Sequence, residues 1–193
     1  MCAKSSATAG LVKILSIIKI FTKMKNTKND GFVFSTKQPV HVTAPSSFIL
    51  LGVRMDIHLS GVQTGGEFSL IEAFMSPGGD GGRHIHSNED ETIHVVSGQL
   101  EVTVGSEKFT LKAGETSFAP RNIPHRIQNK GKVEARAFLI NTPGSFDRFV
   151  SSVGIPFEAT TTLELKPPTT KQVEELLALA KKFGVIVVSL PGQ

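Results

Sequence analysis

The chain has 193 residues, 39% hydrophobic and 20% charged, a balance that fits one globular domain and excludes an intrinsically disordered chain. Its one cysteine, Cys2, excludes intramolecular disulfides and cysteine-rich zinc modules, and the absence of Trp and Tyr leaves 13 Phe for all aromatic packing and excludes tyrosyl chemistry. The net charge of +4 sits at one end: residues 1–29 hold six lysines and no acid, whereas residues 30–193 hold 15 basic and 17 acidic groups, so the body has no cationic surplus for nucleic acid.

Residues 1–30 read as a basic tail. Leu11, Ile14, Leu15, Ile18 and Phe21 recur at helical spacing, with Lys13, Lys19 and Lys23 elsewhere around the wheel. A secretory signal is disfavoured, because Lys13 and Lys19 interrupt the apolar stretch. An organelle-targeting presequence fits the lack of acids but usually carries Arg instead of Lys. Residues 10–25 could also lie on an anionic membrane surface. A frayed extension, or translation from Met24, is the plainer alternative. No apolar run is long enough to span a bilayer, and the expected compartment is the cytoplasm unless the tail is functional.

The body, residues 31–193, reads as strands followed by a helical end. Period-two patterns predict strands at 32–34, 48–51, 54–59, 67–75, 91–96, 100–104, 107–111, 116–119, 125–128 and 134–141. Gly105-Ser106 between two alternating runs marks a hairpin. Gly and Pro punctuate the rest, at 76–79, 119–120, 123–124 and 142–144. Many short strands at regular spacing suggest an antiparallel sandwich or barrel, whose open edges need covering. After Gly144 the period changes. Phe146, Phe149, Val150 and Val153 predict a helix, with Ser145 as N-cap and Gly154 as stop. A second helix is predicted over 170–183, followed by a strand over 185–190.

The chemistry concentrates in two segments. His84 and His86 are two apart, so a strand presents both imidazoles on one face. Glu91 opens the next strand after a polar link, where a hairpin would return it beside the histidines. His125 lies in a second Gly/Pro-framed segment, 114–129, and would complete a set of three imidazoles and one carboxylate. That donor set suits one divalent transition metal (Fe, Mn, Ni, Co, Cu or Zn) and does not suit Mg or Ca. Four ligands leave positions on an octahedral ion for water, O2 or a chelating substrate.

At these residues the sequence resembles the cupin superfamily. Gly78, His84, His86, Glu91 and Gly98 match the first cupin motif without a gap, and Gly114, Pro120, His125 and Asn129 match the second, with Asn122 in place of its middle Gly. Fifteen residues separate the motifs. Within the superfamily, the chain resembles single-domain cupins of the quercetin 2,3-dioxygenase-like type. The resemblance implies an all-β cupin double-stranded β-helix, a jelly-roll barrel with C-terminal helices. It implies His84, His86, Glu91 and His125 as metal ligands, Glu91 as acceptor of a substrate hydroxyl proton, and a homodimer. It also implies a small-molecule substrate, an enediol or flavonol, with O2 as cosubstrate. A metal-dependent isomerase or decarboxylase would use the same ligands, and a non-enzymatic metal-bearing binding domain remains the alternative.

Other polar residues are read more plainly. Glu89 and Asp90 are expected to be solvated in the link. His94 should face away from the site by parity, His41 and His58 carry no motif, and Glu72 is expected to face outward. Arg136 is expected on the surface or at a dimer contact. Phe68, Phe74, Phe118, Ile127 and Phe138 are the expected cavity lining.

Overall fold

The computed structural model describes residues 39–158 and 170–192. The readings of residues 1–30 and of a strand at 32–34 therefore lie outside the described residues. Among those described, no helix is long and apolar enough to cross a membrane.

Among the described residues, twelve strands form two antiparallel sheets. In chain order they are β1 (Ser46–Leu50), β2 (Val53–Leu59), β3 (Ser69–Met75), β4 (Arg83–His86), β5 (Asp90–Ser97), β6 (Gln99–Val104), β7 (Glu107–Lys112), β8 (Thr116–Ala119), β9 (His125–Gln128), β10 (Ala135–Thr142), β11 (Ile155–Pro156) and β12 (Val185–Ser189). Helix α1 (Phe146–Val153) follows β10, and α2 (Thr170–Lys182) precedes β12. One sheet runs β11-β1-β2-β3-β10-β5-β8 and the other β12-β4-β9-β6-β7. This is the double-stranded β-helix that the sequence motifs imply, and the predicted strands match β1–β3, β5–β10 and β12 to within two residues at each end.

Alternation decides what each strand buries. In β10, Ala135, Ala137, Leu139 and Asn141 are buried and the residues between them are only partly so. In β5, Glu91, Ile93 and Val95 share the buried face. The inward sets of β3 (Ile71, Ala73, Met75) and β6 (Leu100, Val102) complete a continuous apolar core. Full burial of such side chains stabilises the fold by about 1.5–3 kcal/mol each, so the inward parity is strongly fixed. Glu91 and Asn141 face each other across the β5–β10 register, inside this core.

Turn chemistry holds the strands in register. Gly105 (φ 60°) begins the two-residue β6–β7 connection that its Gly-Ser sequence predicts. Asn122 adopts φ 65°, so it takes the left-handed conformation that the motif's glycine would supply. The helix α1 ends at Gly154 as expected, and its amphipathic inner side buries Phe146, Phe149 and Val150. Ser145 sits at the N-cap, but its side chain makes no capping bond to the helix. The buried carboxylate of Glu89 takes that role instead.

The C-terminal strand closes the smaller sheet. Val185 pairs with His86 and Val187 with His84, so β12 lies beside the strand that carries both histidines. Asp80 secures the segment after β12. Its buried carboxylate accepts hydrogen bonds from Gly82 N, Gly192 N, the Gln128 amide and the Arg126 guanidinium.

Candidate metal centre

Three strands bring the four candidate residues together. His84 and His86 alternate inward from β4, His125 faces inward from β9 in register with His84, and Glu91 comes from the start of β5. One donor atom from each lies within 4.8 Å of all the others. His84 Nε2 is 3.2 Å from His86 Nε2, and His125 Nε2 is 3.2 Å from Glu91 Oε2. His86, Glu91 and His125 are each only 1% exposed, which separates them from ordinary surface histidines and acids.

The surroundings fix which ring atoms point inward. His84 Nδ1 lies 3.2 Å from Gly82 O, His125 Nδ1 lies 3.2 Å from Ile123 O, and His86 Nδ1 lies 3.3 Å from Glu89 Oε1. Each of these partners accepts, so each Nδ1 carries a proton, and a neutral ring then keeps its lone pair at Nε2. Two Nε2 lone pairs 3.2 Å apart repel one another unless a cation lies between them. Glu91 Oε1 accepts from Asn141 Nδ2 at 3.0 Å, while Glu91 Oε2 and His125 Nε2 are buried without a hydrogen-bond partner. Orphaned buried polar atoms are costly, and a shared ion satisfies both at once. The residues present therefore fit a transition metal held by nitrogen and carboxylate oxygen.

The electrostatics agree. Burial works to raise the Glu91 pKa, but the neighbouring His125, then His86 and His84, outweigh it and hold the carboxyl well below its usual range. Burial pulls His84 down to about 3, with His125 and His86 adding to the effect. Burial also lowers His125, but Glu91 outweighs it and the net shift is upward. The site is thus an anion ringed by imidazoles, with positive charge favoured at its centre.

A cavity of about 60 Å³ adjoins these residues. His84 and Glu91 contribute to its wall, and Met55, Leu139, Phe146, Phe149, Val185 and Val187 make much of the rest. This lining corrects the expected one. Ile127 does line the cavity, but Phe74 and Phe138 share the opposite parity from the inward residues of β3 and β10, and Phe118 is 56% exposed. Phe68 is not among the lining residues. The aromatic wall comes from α1 instead, because that helix docks its Phe146–Phe149 side against the barrel.

The other polar residues divide between those that meet expectation and those that do not. Glu89 is 1% exposed, not solvated. Its Oε2 accepts from Ser145 N, Ser145 Oγ and Phe146 N, each at 3.1 Å, and so caps α1 from another part of the chain. Asp90 is paired with Arg121 through the backbone N–H and the guanidinium. Glu72 does face outward, yet it is buried beneath Arg136 and His58. Arg136 is partly exposed on that outer face, and His94 also points away from the site, onto Thr116 Oγ1. Sequence reasoning missed Asn141 and Glu89. Asn141 has a legible signal, a polar residue at an inward position of an apolar strand. Glu89 has none for its burial, since the partners of its Oε2 lie 56 and 57 residues downstream.

Comparison with known proteins agrees with this geometry. Residues 72–141 match the family model for the cupin domain. The chain is 39% identical over 118 residues to the polyketide synthase protein CurC of Streptomyces cyaneus, covering 61% of this chain and 63% of that one. It is 27% identical over 168 residues to germin-like protein subfamily 2 member 2 of Arabidopsis thaliana, covering 80% and 76%. The chain spans about three fifths of the length of the first curated relatives it matches, 60% and 63%. A solved structure from Thermotoga maritima, described as a predicted oxalate decarboxylase, superposes with TM-score 0.50 at 20% identity, over 55% of this chain and 99% of that one. Residues 72–141, which include all four clustered residues, thus match the cupin domain model, and the described barrel shares its fold with that structure.

Proposed function

We propose that this cupin is a mononuclear metal-dependent dioxygenase acting on a small enediol or flavonol-like molecule. The observation that carries the proposal is the convergence of His84, His86, Glu91 and His125 at the wall of an apolar cavity. These four residues would hold the ion, which when bound supplies Lewis acidity toward substrate oxygens and a position for O2. The protein's own part is positional. Asn141 orients the Glu91 carboxylate by donating to Oε1, and Glu91 is the residue placed to take a substrate hydroxyl proton. Its neighbours keep that carboxylate ionised, as proton acceptance requires. Phe146, Phe149 and Leu139 line the cavity beside these residues and keep water from that side, which strengthens charge interactions there.

A second reading starts from the same donor set, which does not by itself commit the chain to oxidation. On it, the same four residues serve a non-oxidative reaction such as isomerisation or decarboxylation, or hold a ligand without turnover. One experiment separates the readings. The purified full chain is assayed for metal by elemental analysis, and O2 uptake is followed with a panel of flavonols and enediols. The dioxygenase reading expects about one transition metal per chain and O2 consumed in step with substrate. Metal without O2 uptake supports the second reading, and no metal even after reconstitution contradicts both. A homodimer belongs to the same proposal. The sheet edge at β8 carries the exposed Phe118, and a second copy would cover it. Light scattering at the mass of one chain contradicts that part.

A further inference from the structure

Glu89 connects two things that the proposed function treats separately, the candidate ligand His86 and the cavity wall formed by α1. Its two carboxylate oxygens are divided between them. Oε1 faces His86 Nδ1 at 3.3 Å, and Oε2 accepts the Ser145 N–H, the Ser145 hydroxyl and the Phe146 N–H. Glu89 and His86 are both 1% exposed, so water does not compete for either contact. The Phe146 ring packs edge-on against His86, with centroids 4.7 Å apart and planes at 78°. The helix start, the carboxylate and the imidazole therefore form one closed unit.

We propose that Glu89 is a positioning residue that fixes His86 in its Nδ1–H form and locks the Phe146 end of α1 over the metal site. The proposal rests on the metal-centre reading but not on the reaction assigned to it. The chemistry demands a carboxylate at this place. Every neighbour that Glu89 meets is a donor, at both of its oxygens. An amide can accept at only one end. In Glu89→Gln, an amide NH2 turned toward His86 forces Nδ1 to accept, which moves the ring proton to Nε2 and removes the lone pair that would bind metal. An amide NH2 turned toward α1 meets three donors and leaves the helix start uncapped. Aspartate is one methylene shorter and cannot span both ends.

The test combines two measurements. Co2+ affinity is titrated for the wild type, Glu89→Gln and Ser145→Ala, with the melting temperature of each metal-free protein recorded alongside. Glu89→Gln should bind Co2+ about 10–100-fold more weakly, with an altered d–d spectrum. Ser145→Ala, which removes one donor to Oε2 and leaves Glu89 in place, should lower the melting temperature and change Co2+ affinity by less than about threefold. Folded Glu89→Gln with wild-type affinity overturns the proposal. The second measurement needs no variant. Nitrogen-15 NMR of the metal-free wild type should show His86 as the Nδ1–H tautomer, and an Nε2–H tautomer overturns the proposal even if Glu89→Gln fails to fold. Failure of the wild type to take Co2+ at all contradicts the metal centre itself, and the tautomer still decides the role of Glu89.

Discussion

Asp80 offers the sharpest test of how the C-terminal segment is held against the site. Its carboxylate is 8% exposed and accepts from two backbone N–H groups, one amide and one guanidinium. One of these donors, Gly192 N, lies 112 residues away, just beyond the strand that lines the cavity. Asp80→Ala removes the carboxylate that the Arg126 guanidinium, the Gln128 amide and Gly192 N share as acceptor. Removing one partner of a buried pair costs about 3–5 kcal/mol, and Arg126 keeps 19% side-chain exposure, so the lower figure of about 3 kcal/mol applies. In a domain of this size that is a fall in melting temperature of about 6–12 °C. The pH dependence gives an independent reading. Burial works to raise Asp80, but Arg126 and the backbone donors outweigh it and lower its pKa from 3.8 to about 2. A depressed carboxylate stabilises the fold above its unfolded pKa, so the wild type should lose about 2 kcal/mol as pH falls from about 5 through 2, and Asp80→Ala should not lose that portion. Urea unfolding of both proteins across that range measures both effects. A loss below about 1 kcal/mol at pH 7, or parallel pH profiles, refutes the assignment of Asp80 as the anchor.

Close contacts and the site itself supply further tests. A Cβ on Gly144 would collide with the Phe68 backbone carbonyl, so Gly144→Ala should cost about 3 kcal/mol in urea unfolding; a neutral result shows that the loop is free to yield. Asn141→Ala leaves Glu91 Oε1 without its donor and should weaken metal binding about 10–100-fold by equilibrium dialysis, with wild-type affinity as the contrary result. Arg121→Ala removes an exposed pair with Asp90 and should leave metal stoichiometry unchanged; loss of metal would mean that Asp90 helps to place Glu91.

The parts of the molecule legible in the sequence are those governed by local periodicity. His84 and His86 two apart, Glu91 at the start of an alternating run and His125 at the start of another place themselves on inward faces once strands are assigned. The β6–β7 hairpin and the stop at Gly154 are equally local. What was not legible depends on pairs far apart in the chain. Glu89 reads as solvated because its neighbours Ser87, Asn88 and Asp90 are polar, and only the docking of α1 buries it. Phe74 and Phe138 read as cavity residues because they are aromatic, yet they alternate with the inward residues of their strands. Parity outweighs residue type there. Glu72 combines both lessons: its outward direction follows from alternation, but its burial depends on Arg136 and His58 from other strands.

The central claim is that three imidazoles and one carboxylate bind a single ion. Anomalous diffraction from crystals of the full chain soaked in Co2+ tests it directly. The account predicts one strong peak at about 2.0–2.2 Å from Nε2 of His84, His86 and His125 and from a Glu91 oxygen. A peak elsewhere on the chain, or none among these four residues at saturating Co2+, contradicts it.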